Sequence, residues 1–153
     1  VQEYTEHFYL PCADRYQQLT ADGMARAKAL AAWKTQVEEG WSQVQIETVE
    51  TEPLPDLQVG TNFQAKAQVH LGALTPDDVK VEIYLGRVDG SGELAEAEAT
   101  PMQPVGQGKS GSYLFEASEV VCISSGRHGY TVRVLPHHPD LTTPFLPGLL
   151  LWA

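Results

Sequence analysis

The stretch that decides the fold is SSGRHGYTVRVLPHHP, residues Ser124–Pro139. It begins with a turn-rich corner, in which glycines supply backbone conformations that other residues avoid. The corner residues are Ser124, Ser125, Gly126 and Gly129. From Tyr130 onward, apolar and polar side chains alternate, which predicts a β-strand with one buried face. Pro136 cannot donate to a sheet ladder, so we expect this strand to end near Leu135.

Tyr130 stands at the start of a late strand, directly after a turn. This is the position of the tyrosine corner in immunoglobulin-like sandwiches. We therefore expect the Tyr130 ring to be buried and its hydroxyl to be hydrogen-bonded to nearby backbone. The sequence predicts a mainly β chain, an immunoglobulin-like antiparallel β-sandwich preceded by an α-helical segment.

Seven or eight short strands with turns between them are expected in residues 44–153, with no helix among them. Val49 breaks the alternation of the first strand, which indicates a bulge or a strand end. Pro53 and Pro55 predict a turn, and Asp89-Gly90 predicts a hairpin. The predicted strands are Val44–Thr48, Phe63–Leu71, Val79–Leu85, a weak edge strand Leu94–Thr100, Tyr113–Ala117, Val120–Ile123, Tyr130–Leu135 and Leu149–Trp152. Pro101–Gly111 is expected to be a loop.

Residues 1–43 have helical patterning and form the first predicted domain, with residues 44–153 as the second. Tyr4 and Phe8 suit one face of a helical turn, and a long helix is expected after a cap at Thr20 or Asp22. One apolar stripe on this helix predicts packing onto a neighbouring domain or the edge of the β domain. Its residues are Leu30, Trp33, Val37 and Trp41. Gly40 is where we expect the helix to end.

The formal net charge of −10 argues against nucleic acid and anionic membrane surfaces as partners. We find neither a transmembrane run nor a signal-peptide pattern. The chain begins without Met and in helical patterning, so we expect it to be part of a longer chain. Two cysteines, Cys12 and Cys122, are too few for a disulfide framework, and we expect reduced thiols in a cytoplasmic protein.

Motifs for nucleophilic catalysis, phosphate binding or metal binding do not stand out in the sequence. His137 and His138 would point to opposite sides of an extended backbone, which predicts an exposed turn rather than a chelate. We therefore assign no catalytic, cofactor-binding or metal-binding residue. Exposed aromatic rings are the side chains that stack on sugars. Tyr84, Tyr113 and Trp152 are candidates, although the alternation places Tyr113 on the core face and Trp152 could cap the core.

Several segments resemble the C-terminal end of bacterial α-glucan (glycogen or starch) phosphorylases, which are glycosyltransferases. These segments are EYTEHFYLPCADRYQQL (3–19), ALAAWKTQVEEGWSQVQI (29–46), LGALTPDDVKVEIYLG (71–86), SGRHGYTVRVLPHHPDL (125–141) and the closing GLLLWA (148–153). The resemblance implies that residues 1–43 end the catalytic glycosyltransferase region. It implies that residues 44–153 form a sandwich appended to that region.

The resemblance also implies a parent enzyme that releases glucose 1-phosphate from α-1,4-glucan by phosphorolysis, with pyridoxal phosphate held on a lysine. The lysine-bearing motif of that family has no counterpart here, so we expect no activity and no cofactor in this chain. The lysines checked against it are Lys28, Lys34, Lys66, Lys80 and Lys109.

Three hypotheses remain open on the sequence. In the first, the chain is a non-catalytic C-terminal region with a structural or interaction role, and its partner is the catalytic domain. In the second, it is a carbohydrate-binding module in which Tyr84 and Trp152 contact glucan. In the third, it is a freestanding adaptor domain. The reading frame upstream of Val1 would separate the third hypothesis from the other two.

Overall fold

A computed structural model describes residues 5–51, 59–122 and 126–153. The chain divides into two compact units, one that ends at Val37 and one that begins at Glu38. Some expectations concern residues outside the described ranges. These residues are Tyr4, Pro53, Pro55, Ile123, Ser124 and Ser125.

The helical unit begins with a π-helical turn, Thr5–Tyr9, which leads into helix α1, Leu10–Gly40. Ala21–Met24 interrupts α1, and the last three of these residues have φ angles of 50°, 65° and 63°. The long helix therefore resumes where the sequence places its start. Thr20 does not cap it, because its hydroxyl donates to the carbonyl oxygen of Tyr16 at 2.7 Å and closes the preceding helical segment.

The apolar stripe of α1 is partly confirmed by burial. Trp33 and Val37 are buried, while Leu30 and Trp41 are half-buried. Helix α1 ends at Gly40, as predicted. A Cβ at Gly40 would lie 3.1 Å from the side chain of Leu74, so the absence of a side chain lets the two segments approach closely.

Seven antiparallel strands follow a short 3₁₀ turn, Trp41–Gln43, and a second 3₁₀ turn, Pro76–Asp78, precedes the third strand. The strands are β1 Gln45–Thr51, β2 Asn62–His70, β3 Val79–Val88, β4 Leu94–Gln107, β5 Ser112–Val121, β6 His128–Pro136 and β7 Leu151–Trp152. Their order in the sheet is β1-β2-β5-β4-β3-β6-β7. The mainly antiparallel β fold after a helical segment is confirmed. The immunoglobulin-like sandwich is not, because the described strands form one continuous sheet.

Strand β4 corrects one expectation. It continues through Pro101–Gln107, which the sequence predicts as a loop, and this continuation places β4 between β3 and β5 in the sheet order. Residues up to Met102 pair with β3, whereas the residues from Gln103 onward pair with β5. Each half of β4 thus has a ladder on one side only, so Leu94–Thr100 has one unpaired side, as the predicted edge strand would, and Pro101 and Pro104 fit into the strand.

Two register shifts shape the strands. In β1 the shift lies between Ile46 and Thr48, so the predicted bulge exists, slightly before Val49. In the β3–β4 pair the shift surrounds Gly86. A Cβ at Gly86 would lie 2.5 Å from the Cβ of Ala97 and 2.8 Å from its Cα, so no side chain fits there.

The sheet curls, and this curl changes the interpretation of Tyr130. The Thr51 hydroxyl on β1 donates to the Tyr130 hydroxyl on β6 at 3.1 Å, although the two strands are far apart in the sheet order. Tyr130 is 40% exposed, so the predicted burial is wrong. The buried row of β6 begins only at Val132, which leaves Tyr130 at the rim of the core.

The core consists of the side chains on one face of the sheet. The strict alternation of β2 is confirmed, since Phe63, Ala65, Ala67 and Val69 are all buried. The largest fully buried side chains of the β unit are Phe115, Leu71, Leu74, Ile83, Leu135, Val69, Val81, Val120, Val132, Val134 and Pro136. Strands β3 and β6 contribute several of these buried side chains. Their packing fixes the two strands, and therefore also fixes the side chains on the outward faces of the strands.

Candidate binding surface

An aromatic surface lies on the outward face of β3, β6 and β7. We use this name for Tyr84, Phe145, Trp152 and Arg133. Strand pairing places Arg133 and Trp152 at one level of the sheet together with Glu82, because Glu82 on β3 is opposite Arg133 on β6, and Arg133 is opposite Trp152 on β7. Tyr84 follows Glu82 by two residues and therefore shares its face.

A buried carboxylate anchors this surface. Glu82 is 4% exposed, and its Oε2 accepts from Arg133 Nε at 2.8 Å and lies 2.7 Å from Arg133 Nη2. Its other oxygen, Oε1, lies 2.6 Å from Lys80 Nζ. Charged hydrogen-bond partners of this kind make up for the loss of water around a buried ion.

The pKa of Glu82 reflects this balance. Burial acts to raise the pKa of the carboxyl group, since it penalises the charged form. Hydrogen bonds from Lys80 and Arg133, together with the positive charges of both, outweigh burial and hold the pKa of Glu82 below its ordinary value. Glu82 is therefore a carboxylate at neutral pH, and it fixes the orientation of the Arg133 guanidinium.

Three rings surround that guanidinium. Arg133 Cζ lies 4.9 Å from the ring centre of Tyr84, 5.5 Å from that of Trp152 and 5.8 Å from that of Phe145. These distances are within the range of cation–π attraction. The Tyr84 and Trp152 rings meet edge to face, with centres 5.5 Å apart and planes at 66°. One cation therefore holds three aromatic rings in a defined arrangement.

The structure brings together two of the three residues that the sequence singles out for sugar contact. Tyr84 and Trp152 touch, and Trp152 is 43% exposed, so it does not cap the core. Tyr113 is half-buried on β5, outside this cluster. Sequence reasoning missed Phe145 and Arg133. Arg133 could have been found from the alternation of β6, but Phe145 lies in the segment between β6 and β7, whose path no periodicity reveals.

A second polar cluster lies at the bulge of β1. Glu47 accepts from Gln68 Nε2 at 2.6 Å and from the Ser112 hydroxyl at 3.0 Å, and His70 Nδ1 lies 3.3 Å from the same hydroxyl. Ser112 is only 4% exposed and its hydroxyl donates to Glu47, whereas a serine nucleophile needs access to substrate. These contacts fix the bulge and do not form a catalytic centre.

Histidine and cysteine side chains are the usual protein ligands of zinc and other transition metals. In the described parts of the chain, no three His, Cys, Asp or Glu side chains group as metal ligands. His137 is exposed, and His138 Nδ1 accepts from the backbone N–H of Asp140 at 3.1 Å. Both cysteines are free thiols, as predicted, with Cys12 exposed and Cys122 buried.

A shallow cavity of about 210 Å³ lies on the outer side of β1 and β2. Its lining consists of Glu50, Thr51, Gln64 and Lys66. This lining contains no aromatic ring, so the cavity offers no stacking surface of the kind found on β3, β6 and β7.

Comparison with known proteins places these features in a family. The family model for the glycogen phosphorylase C-terminal domain matches residues 41–153. The glycogen phosphorylase of Mycobacterium tuberculosis (strain ATCC 25618 / H37Rv) is 34% identical over 154 residues, which cover 100% of this chain and 18% of the relative. The maltodextrin phosphorylase of Thermococcus litoralis is 31% identical over 156 residues, covering 99% of this chain and 18% of the relative.

One solved structure, the Pseudomonas fluorescens alkylpurine DNA glycosylase AlkC bound to DNA containing an abasic site analog, overlaps with 68% of this chain and 30% of its own. Its TM-score is 0.39 at 15% identity, which is too low to support an argument. Among the described residues, no helix is long and apolar enough to cross a membrane. The chain spans about a fifth of the length of the phosphorylases it matches. With its β unit matched throughout by the family model, the chain belongs to the glycogen phosphorylase C-terminal domain family.

Proposed function

We propose that the chain is the non-catalytic C-terminal part of an α-glucan phosphorylase, with a structural or interaction role beside the catalytic domain. The observation that carries this proposal is the alignment, which runs along the whole chain and corresponds to 18% of each phosphorylase. In this proposal the parent enzyme releases glucose 1-phosphate from α-1,4-glucan by phosphorolysis, in the cytoplasm. Pyridoxal phosphate belongs to the catalytic domain and not to this chain.

Residues 1–43 are, in this proposal, the end of the catalytic glycosyltransferase region, and residues 44–153 are the appended β domain. Support comes from the family model, which begins at residue 41 and leaves the whole of α1 outside it. The helical unit also exposes large apolar side chains, which are normally covered by a partner when they lie together. These are Phe8, Tyr9, Leu10, Tyr16 and Met24, each more than half exposed.

The first test of this function uses the chain alone. Incubated with glycogen, phosphate and pyridoxal phosphate, it should release no glucose 1-phosphate, and its absorbance should show no bound cofactor after dialysis. Release of glucose 1-phosphate would overturn the non-catalytic assignment.

The second test uses the glycogen phosphorylase of Mycobacterium tuberculosis with the region aligned to this chain removed. A structural role predicts a lower melting temperature and a smaller soluble yield, because the apolar surface that the region covers becomes exposed. A matched control removes only the residues aligned to 151–153, the last strand and the residue after it. If the shortened enzyme keeps its full stability and its kcat/KM, the region is dispensable and the proposed role is wrong.

A further inference from the structure

The aromatic surface is unusual for the outward face of an antiparallel sheet, where polar side chains are the rule. Phe145 is 57% exposed and Trp152 is 43% exposed, and both rings contact Arg133. We propose that this surface binds an α-1,4-glucan chain by stacking sugar rings on Trp152 and Phe145. This inference rests on the proposed function, from which the ligand class is taken.

The rings are arranged before any ligand arrives. The Arg133 guanidinium is held by Glu82 through two contacts of 2.8 and 2.7 Å, and it in turn contacts all three rings. A surface that is already ordered loses little conformational entropy when it binds, so more of the contact energy becomes affinity. Arg133 and Glu82 are therefore positioning residues, and Trp152 and Phe145 are the groups that touch the sugar.

The charges of the surface favour a neutral ligand. The Arg133 side chain is only 15% exposed and pairs with Glu82, so its guanidinium is not open to an anionic ligand. The whole chain carries a net charge of −10, which repels anionic ligands further. Sugars are neutral and combine apolar ring faces with hydroxyl groups, and an aromatic surface with polar side chains at its border suits this chemistry.

The ligand class is narrowed further by the relatives. Two relatives are a glycogen phosphorylase and a maltodextrin phosphorylase, and both names point to an α-1,4-glucan.

The test is the mobility of the purified chain in native gels that contain glycogen, with calorimetric titration of maltoheptaose as a second measurement. We expect glycogen to retard the chain and maltoheptaose to compete. Trp152→Ala and Phe145→Ala should each weaken binding by roughly tenfold or more. Tyr16→Ala is the matched control, since Tyr16 is an exposed aromatic residue of the helical unit, and it should bind as the unchanged chain does.

Arg133→Lys tests the positioning role separately from folding. Lysine keeps a cation beside Glu82 but has no planar group to lie against three rings. We expect weaker glucan binding together with a smaller near-ultraviolet circular dichroism signal from the aromatic cluster, while the far-ultraviolet spectrum stays unchanged. Unchanged affinity and signal would refute the positioning role.

Three outcomes would overturn the glucan proposal. The unchanged chain shows no retardation and no heat of binding, or the Trp152 and Phe145 variants bind glucan as well as the unchanged chain. The third is that Trp152→Ala abolishes association with a phosphorylase catalytic domain while glycogen has no effect, which would make the surface a protein interface. None of these results depends on phosphorolysis, so the proposed function is judged separately by its own two tests.

Discussion

Replacing Glu82 with glutamine should destabilise the β domain by about 2–3 kcal/mol at pH 7. The substitution keeps the shape of the side chain but removes the charge beside Arg133, whose side chain is 15% exposed. Hydrogen bonds to a charged group are worth about 1.5–3 kcal/mol, and breaking a buried ion pair costs about 3–5 kcal/mol at most. Lys80 adds little to this sum because its side chain is 41% exposed and its charge is screened by water.

The effect should depend on pH in a defined direction. The folded-state pKa of Glu82 lies below the ordinary value of 4.5, so its contribution is fully present above that pH and is lost as the pH falls through the folded-state pKa. The difference between the unchanged chain and Glu82→Gln should therefore be largest near neutral pH and shrink in acid. Urea unfolding followed by circular dichroism, at several pH values between about 7 and 3.5, measures this difference.

Glu116→Gln provides the matched control. Glu116 also pairs with a lysine across neighbouring strands, but Lys66 Nζ is 3.8 Å away and the side chains are 45% and 23% exposed. A pair of this kind is worth less than about 1 kcal/mol. If Glu82→Gln is no more destabilising than Glu116→Gln, or if its effect is the same at every pH, the buried ion pair does not stabilise the fold as argued.

Three further predictions concern single positions. Gly86→Ala should lower the free energy of unfolding by about 1–3 kcal/mol because the added Cβ meets the backbone of β4. Gly106→Ala should change it little, because an added Cβ there has no atom within 4 Å. Equal effects of the two substitutions in urea unfolding would contradict the close approach at Gly86. Tyr130→Phe should cost less than about 1 kcal/mol in the same assay, since its hydrogen bond is exposed; a larger loss would indicate a buried hydroxyl. A thiol reagent should modify Cys12 in the folded chain and Cys122 only after unfolding, and rapid reaction of both would contradict the burial of Cys122.

Local sequence patterns correctly predicted the strands and helix ends whose structure depends mainly on the residues next to them. The alternation of Phe63–Val69 marks β2 because one face is buried along its whole length. Helix α1 ends at Gly40 as predicted, although Gly40 has a φ of −81° and not the left-handed conformation of a terminal glycine. The path of β4 could not be predicted in this way. Its prolines suggest a loop to any local rule, and only the change of partner strand within β4 makes them compatible with the sheet.

The candidate site shows the same division. Tyr84 and Trp152 could be selected as ring-bearing residues of the sheet, but their contact depends on a pairing between strands that lie far apart in the sequence. Tyr130 shows the opposite error, since a familiar position in the sequence suggested burial that the curl of the sheet does not provide. Burial of a side chain at a strand end depends on which neighbouring elements cover it, and the local sequence around the residue does not reveal this.

Strand β4 has a consequence for how the molecule opens. Its first half holds β3 and, through β3, β6 and β7, while its second half holds β5 and, through β5, β2 and β1. Neither group of strands can detach by local fluctuation without releasing part of this shared strand from its ladder. Native-state hydrogen exchange should therefore report one opening free energy, equal to that of global unfolding, for the slowest amides of β2, β5, β3 and β6. The β domain is then a single cooperative unit whose two halves are joined covalently through the middle of one strand.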